Sequence, residues 1–122
     1  MPNGNFEISF KIKPTSRSNS WANVNLGTDD NNKVMVGQAG SNGGIYLQIK
    51  KNASVLISQS TPTVAPLNTD TLFKYSYVDG LHTITGLNNE TITYTDSTVD
   101  LSNIFKMDIS NNHLKELLIK PL

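Results

Sequence analysis

From Phe6 onward the chain alternates. Phe6, Ile8, Phe10 and Ile12 are separated by Glu7, Ser9, Lys11 and Lys13, so the period is two and one face of the segment is wet. Pro14 ends this strand. A polar loop, TSRSNS, leads into WANVNLG, which again has two faces. Ala22, Val24 and Leu26 lie on one side, and Trp21, Asn23 and Asn25 on the other. TDDNN is a turn of residues that tolerate the left-handed conformation. In KVMVGQ, Val34 and Val36 face the core while Lys33, Met35 and Gly37 face away. After the flexible turn AGSNGG, IYLQIK sends Ile45, Leu47 and Ile49 inward and Tyr46, Gln48 and Lys50 outward.

Beyond the turn at Lys51 and Asn52, ASVLISQS is a strand whose facing stays open, because Val55, Leu56 and Ile57 run together. A two-proline crossing loop, TPTVAPLNTDT, separates it from the clearest hairpin, LFKYSYVDGLHTITG. Asp79-Gly80 is a favoured pair for a two-residue turn, which sets Val78 opposite Leu81, Tyr77 opposite His82 and Tyr75 opposite Ile84. Phe73, Tyr75, Tyr77, His82 and Ile84 then share one face; the two tyrosines are expected in the core with hydroxyls reaching the rim. LNNE turns into TITYT, DSTVDLSN reads as a loop with a short helical turn, and IFKMDIS places Phe105, Met107 and Ile109 on one side. The last segment, HLKELLIKPL, has a helical spacing of leucines, but Ile119, Pro121 and the all-β context favour a strand.

Ten short strands at close spacing and no convincing helix predict an all-β fold, a two-sheet antiparallel β-sandwich of the jelly-roll kind. One domain spanning 1–122 is expected, excised from a longer chain, since no repeat or boundary interrupts it.

The fragments NFEISFKIKP, VMVGQ followed by GGIYLQIK, LFKYSYVDGLHTITG, and FKMDIS followed by LKELLIKPL resemble concanavalin A-like lectin/glucanase jelly rolls, the laminin G-like group. The aromatic strand ending in Tyr-x-Asp-Gly and a last strand returning beside the first carry the resemblance, which spans the whole chain. It implies a carbohydrate-binding or adhesive module of the kind found in phage tail and baseplate proteins, microbial adhesins and multidomain glycosidases.

Composition narrows the function. Only 16% of the residues are charged, the formal net charge is zero, and Asn, Ser and Thr supply the polarity. With no basic run along the chain, neither nucleic acid nor an anionic membrane surface is an expected partner. There is no cysteine, hence no disulfide or thiolate metal site. No apolar run reaches transmembrane length, and the opening MPNGNFEISF lacks the regions of a signal peptide. A virion, the extracellular space or a cell surface is the expected location. The two sequons, at Asn52 and Asn89, are expected by chance in so Asn- and Thr-rich a chain and carry no weight.

The glucanases of this fold class carry acids alternating on one strand as Glu-x-Asp-x-(x)-Glu. Here the acids are mostly singletons in turns, so no catalytic residue is assigned and no enzyme is expected. No nucleophile motif accompanies His82 or His113, and GSNGG lacks the lysine and helix of a phosphate loop. Asp29 and Asp30 offer hard oxygens of the sort calcium takes, yet TDDNN is equally an ordinary turn, so no cofactor is expected and calcium remains the weak candidate. Three consecutive strands with short turns pair antiparallel, which brings Trp21, Asn23, Asn25, Tyr46 and Gln48 onto one surface. Aromatic plates for pyranose stacking and amides for hydroxyls suit a glycan or cell-surface polymer. Two readings of Trp21 stand: a ligand platform, or a structural residue beneath a loop or a second layer. The rival function is a structural module of a virion or surface assembly, a homo-oligomer through its parent protein.

Overall fold

A computed structural model of the chain describes residues 4–38, 40 and 44–122. Ten strands account for most of it: β1 (Phe6–Pro14), β2 (Trp21–Asp29), β3 (Asn32–Gln38), β4 (Ile45–Lys51), β5 (Ser54–Ser60), β6 (Thr71–Val78), β7 (Leu81–Thr85), β8 (Thr91–Thr95), β9 (Ile104–Ser110) and β10 (Asn112–Pro121). They form two five-stranded antiparallel sheets. One, the β1 sheet, has the order β10-β1-β6-β7-β8; the other, the β2 sheet, has the order β5-β4-β3-β2-β9. The last strand does return beside the first, and HLKELLIKPL is a strand.

The core lies between the sheets. Phe6, Ile8, Phe10, Ile12, Phe73, Tyr75 and Ile84 from one sheet meet Ala22, Val24, Leu26, Val34, Val36, Ile45, Leu47 and Ile49 from the other, all fully buried. Each large apolar side chain so buried contributes about 1.5–3 kcal/mol, so the alternating strands are held by their inward halves. Ala65 of the crossing loop is buried too. That loop is tied across the end of the sandwich by Arg17 Nη1 donating to the Ala65 carbonyl at 2.6 Å and Asn68 N donating to the Pro14 carbonyl at 2.8 Å.

The β6–β7 hairpin has the expected register, with Val78, Tyr77 and Tyr75 opposite Leu81, His82 and Ile84. Asp79 and Gly80 both have positive φ, 48° and 86°, as the turn requires. Local expectations fail in three places. Residues 96–103 contain no helical turn; a single 3-10 turn falls at Leu87–Asn89. Met107 and Ile109 share a side, opposite Val24 and Ala22, but a register shift near Phe105 breaks the run. Tyr75 is fully buried, and its hydroxyl donates to His82 Nδ1 at 2.7 Å instead of reaching the rim. Most of the AGSNGG turn lies outside the described residues.

Candidate functional site

The outward side of the β2 sheet is a ladder of rows. Tyr46, Gly37, Asn23 and Asp108 stand side by side on β4, β3, β2 and β9. Gln48, Met35, Asn25 and Lys106 form the next row, and Lys50, Lys33 and Gly27 the one after. Trp21 stands one row beyond Asn23, opposite Ser110. Ser60 and Ser58 of β5 extend the first two rows past Tyr46 and Gln48. The five singled-out residues, Trp21, Asn23, Asn25, Tyr46 and Gln48, therefore do share one face.

They differ in how they meet solvent. Trp21 is 36% exposed, and Tyr46 and Gln48 are half-buried, whereas Asn23 is 6% and Asn25 0% exposed. Alternation assigns a side, but the height of neighbouring side chains decides exposure. Gly37 leaves a hollow in its row, and the Asn23 amide oxygen lies over it, 2.8 Å from where a Cβ would be. Asn25 Nδ2 donates to Asp108 Oδ2 at 3.3 Å. The Oδ1 atoms of both asparagines are buried without a hydrogen-bond partner. Such acceptors cost stability, so a pair of them on adjacent strand positions calls for an explanation. Tyr46 is steadied by a 2.8 Å hydrogen bond between its hydroxyl and Ser58 Oγ.

Charge at the far end of the face is internally compensated. Lys106 Nζ lies 3.0 Å from Asp30 and 3.5 Å from Asp108, and Lys33 Nζ lies 3.5 Å from Asp30. The hydrogen bond from Lys106 is the main reason that the Asp30 carboxyl titrates below its ordinary value, and the same contact raises Lys106. Two carboxylates thus share one ammonium here. Glycoside hydrolysis needs one carboxyl kept protonated near neutrality, and the Asp30 environment drives the other way.

Asp29 and Asp30 are engaged within the β2–β3 turn. Asp29 Oδ1 accepts from Asn31 N at 2.8 Å and Asn32 Nδ2 at 3.4 Å, an Asx turn, while Asp30 holds the two lysines. Among the described residues no group of three or more His, Asp or Glu side chains gathers to hold a metal. His82 is buried in the β1 sheet, between Tyr75 and the Asp96 carbonyl, and burial lowers its pKa; His113 is exposed on β10.

Sequence reasoning missed Lys106, Asp108 and Ser58. Lys106 and Asp108 arrive on β9, more than 80 residues after the asparagines that they flank, and no local pattern announces that pairing. The Lys-x-Asp alternation in FKMDIS was the available signal, since it puts both charges on one side of a strand.

No family model matches the sequence, and no curated protein does. Solved structures do match in fold. The ancestral congerin Con-anc aligns over 96% of this chain and 91% of its own at 12% identity, with a TM-score of 0.66. The Caenorhabditis elegans galectin LEC-6 covers 96% and 83% at 11% identity with a TM-score of 0.70. CG-16, a homodimeric agglutinin from chicken liver, covers 94% and 90% at 9% identity with a TM-score of 0.65. At such identities the likeness is one of fold. The chain shares with these structures a fold of two antiparallel sheets packed as a β-sandwich.

Proposed function

We propose that the protein is a non-catalytic, lectin-type carbohydrate-binding module that takes a glycan or cell-wall polymer on the outward face of the β2 sheet. One observation carries this reading: an exposed Trp21 stands in line with two buried asparagines whose amide oxygens lack partners, next to the Tyr46 row. Trp21 and Tyr46 supply aromatic surface for the sugar ring and Gln48 an amide at the edge. Asn23 and Asn25 form the acceptor floor beneath, available to sugar hydroxyls when the surrounding side chains part. The galectins and the agglutinin among the fold neighbours support a carbohydrate-binding module. The Asn- and Thr-rich, cysteine-free composition supports a place on a phage or microbial surface protein.

Glycan-array and cell-wall binding of Trp21→Ala is the test. Binding should vanish while the melting temperature stays nearly unchanged, because a third of the side chain already meets water. A large fall in stability with binding intact refutes the assignment.

A second reading is a structural assembly module. It is favoured by Met107 and Ile109 on β9 and Ile119 on β10, each more than 40% exposed, on two edge strands that approach each other. Light scattering separates the two readings: a stable oligomer dissolved by Ile109→Lys, with no glycan bound, favours assembly.

A further inference from the structure

The outward face of the β1 sheet has a chemistry of its own. Lys11 and Lys13 alternate with the buried residues of β1, and Lys74 stands between buried Phe73 and Tyr75 on β6. Lys115 and Lys120 of β10 lie opposite Lys11 and Glu7. These five lysines face three carboxylates, Glu7, Glu116 and Asp70, in a chain whose formal charge is zero. The basic surface that no run in the sequence announces is therefore assembled across three strands.

Its charges are only partly balanced within the protein. Lys11 faces Lys115 directly, like charges opposed on an antiparallel pair. Glu116 and Asp70 answer Lys11 and Lys115, each at 2.8 Å. Lys13, Lys74 and Lys120 have no ion-pair partner among the described residues.

Beside the lysines lies a hydroxyl field. Thr83 pairs with Thr93 and Thr85 with Thr91 across β7 and β8, and Ser76 adjoins Thr83. Where the two zones meet, a cleft of about 360 Å³ is lined by Leu72, Lys74, Thr85, Gly86, Asn89 and Thr91. The whole strip crosses five strands, about 20 Å at the usual strand spacing.

We propose that this face binds an acidic polysaccharide, with the free lysines on its sulfate or carboxylate groups and the threonine–asparagine cleft on its hydroxyls. Two features set this ligand above the other polyanions. Apart from His113, opposite Lys13 on edge strand β10, no aromatic side chain points outward from the described strands of this sheet, so there is no row of plates to stack successive nucleobases. The exposed apolar side chains of this face, Leu72, Leu118 and the Val78–Leu81 pair at the hairpin tip, are set apart by lysines, serines and threonines, so there is no continuous apolar patch to enter a lipid surface.

The test is titration calorimetry with heparin, with polygalacturonate and with neutral dextran, repeated at several salt concentrations. At least one acidic polymer should bind and dextran should not; which polymer binds identifies the anionic group. Lys13→Glu combined with Lys74→Glu should weaken binding about tenfold or more and flatten its salt dependence by about two charges. Lys50→Glu with Lys51→Glu makes the same charge change on the other sheet and should leave binding intact. No binding of either acidic polymer, equal loss in the two double variants, or tighter binding of single-stranded DNA or phosphatidylserine vesicles than of polysaccharide overturns the proposal.

Discussion

The two sheets share one construction rule and obey it differently on their outward sides. On the β1 sheet, alternation gives what it promises: buried Phe6, Ile8, Phe10 and Ile12 beneath, and wet lysines, threonines and serines above. On β2 of the other sheet, both sides are buried, apolar at Ala22, Val24 and Leu26, polar at Asn23 and Asn25. The first face keeps its polar groups in water, where unpaired charges cost little. The second sinks polar groups without completing their hydrogen bonds, which is costly. A sheet that stores such a cost at one place is a better candidate for a built ligand floor than one that stores none.

The largest expected effect tests how tightly that floor is built. Gly37 has φ +150°, and a Cβ there would run into the Ala22 carbonyl and the Asn23 amide oxygen. Gly37→Ala should cost about 3–5 kcal/mol, because backbone of the paired strand cannot retreat without opening the ladder. Chemical denaturation measures it. A cost below about 1 kcal/mol would mean that β2 and β3 are not held in this register.

The β1 sheet has its own vulnerable point, inside it. The Asp96 carbonyl can only accept, so His82 Nε2 carries a proton and donates to it at 2.7 Å; in the neutral ring, which burial favours, Nδ1 then accepts from the Tyr75 hydroxyl, and both nitrogens are used. His82→Phe strands a buried hydroxyl and should cost about 2–3 kcal/mol. The pH dependence has a definite sign. Burial depresses the folded-state pKa of His82, so the unfolded chain binds the extra proton first. The stabilisation is complete above about pH 6.5, the unfolded value, and is lost progressively as pH falls through the lower folded value. Asp30, Asp70 and Asp100, which are lowered by their Lys and Ser partners, act in a separate window beginning near the ordinary carboxylate value of 3.8. Denaturation midpoints in wild type and His82→Phe between pH 7 and 5 should converge toward low pH; parallel curves refute the assignment.

A smaller effect decides whether the asparagine floor is strained. Asn25→Leu removes a buried acceptor without a partner and fills the same space with carbon, at the loss of one 3.3 Å hydrogen bond to Asp108, which keeps Lys106. Stability should rise by about 1 kcal/mol while glycan binding falls, the trade that a functional site makes. A drop in stability would show that Asn25 Oδ1 is satisfied in solution, and the contrast between the faces would dissolve.

These contrasts also mark what the chain disclosed in advance. Strand number, the β6–β7 register and the shared face of Trp21, Asn23, Asn25, Tyr46 and Gln48 follow from period-two alternation and one Asp-Gly turn, both local signals. The burial of Asn23 and Asn25 was not legible. It depends on glycines beside them and on Lys106 and Asp108, which are brought in by a strand distant in sequence. The lysine face was hidden for the same reason, because β10, β1 and β6 are far apart along the chain. Of nine described non-glycine residues with positive φ, six are asparagines: Asn19, Asn52, Asn68, Asn88, Asn89 and Asn111. Much of the Asn enrichment therefore serves turns, where its short polar side chain tolerates the left-handed region, and only two residues serve the floor.

The exception among those turns gives the smallest test. The β4–β5 hairpin closes with Asn52 and Ala53 between Lys51 and Ser54, both at positive φ, 50° and 66°. The β6–β7 hairpin closes with Asp79 and Gly80 in the same sense. The second position of such a turn favours glycine, and alanine there puts a Cβ against its own backbone. Ala53 is exposed, so nothing in the packing repays that strain. Ala53→Gly should therefore stabilise the fold by about 0.5–1 kcal/mol, despite the greater freedom that glycine gives the unfolded chain. The complementary Gly80→Ala should lose at least as much, since a Cβ there would also press on Ser97 at 3.3 Å. If Ala53→Gly instead lowers the melting temperature, unfolded-state entropy outweighs the turn strain, and the two hairpins differ in more than the residue at one position.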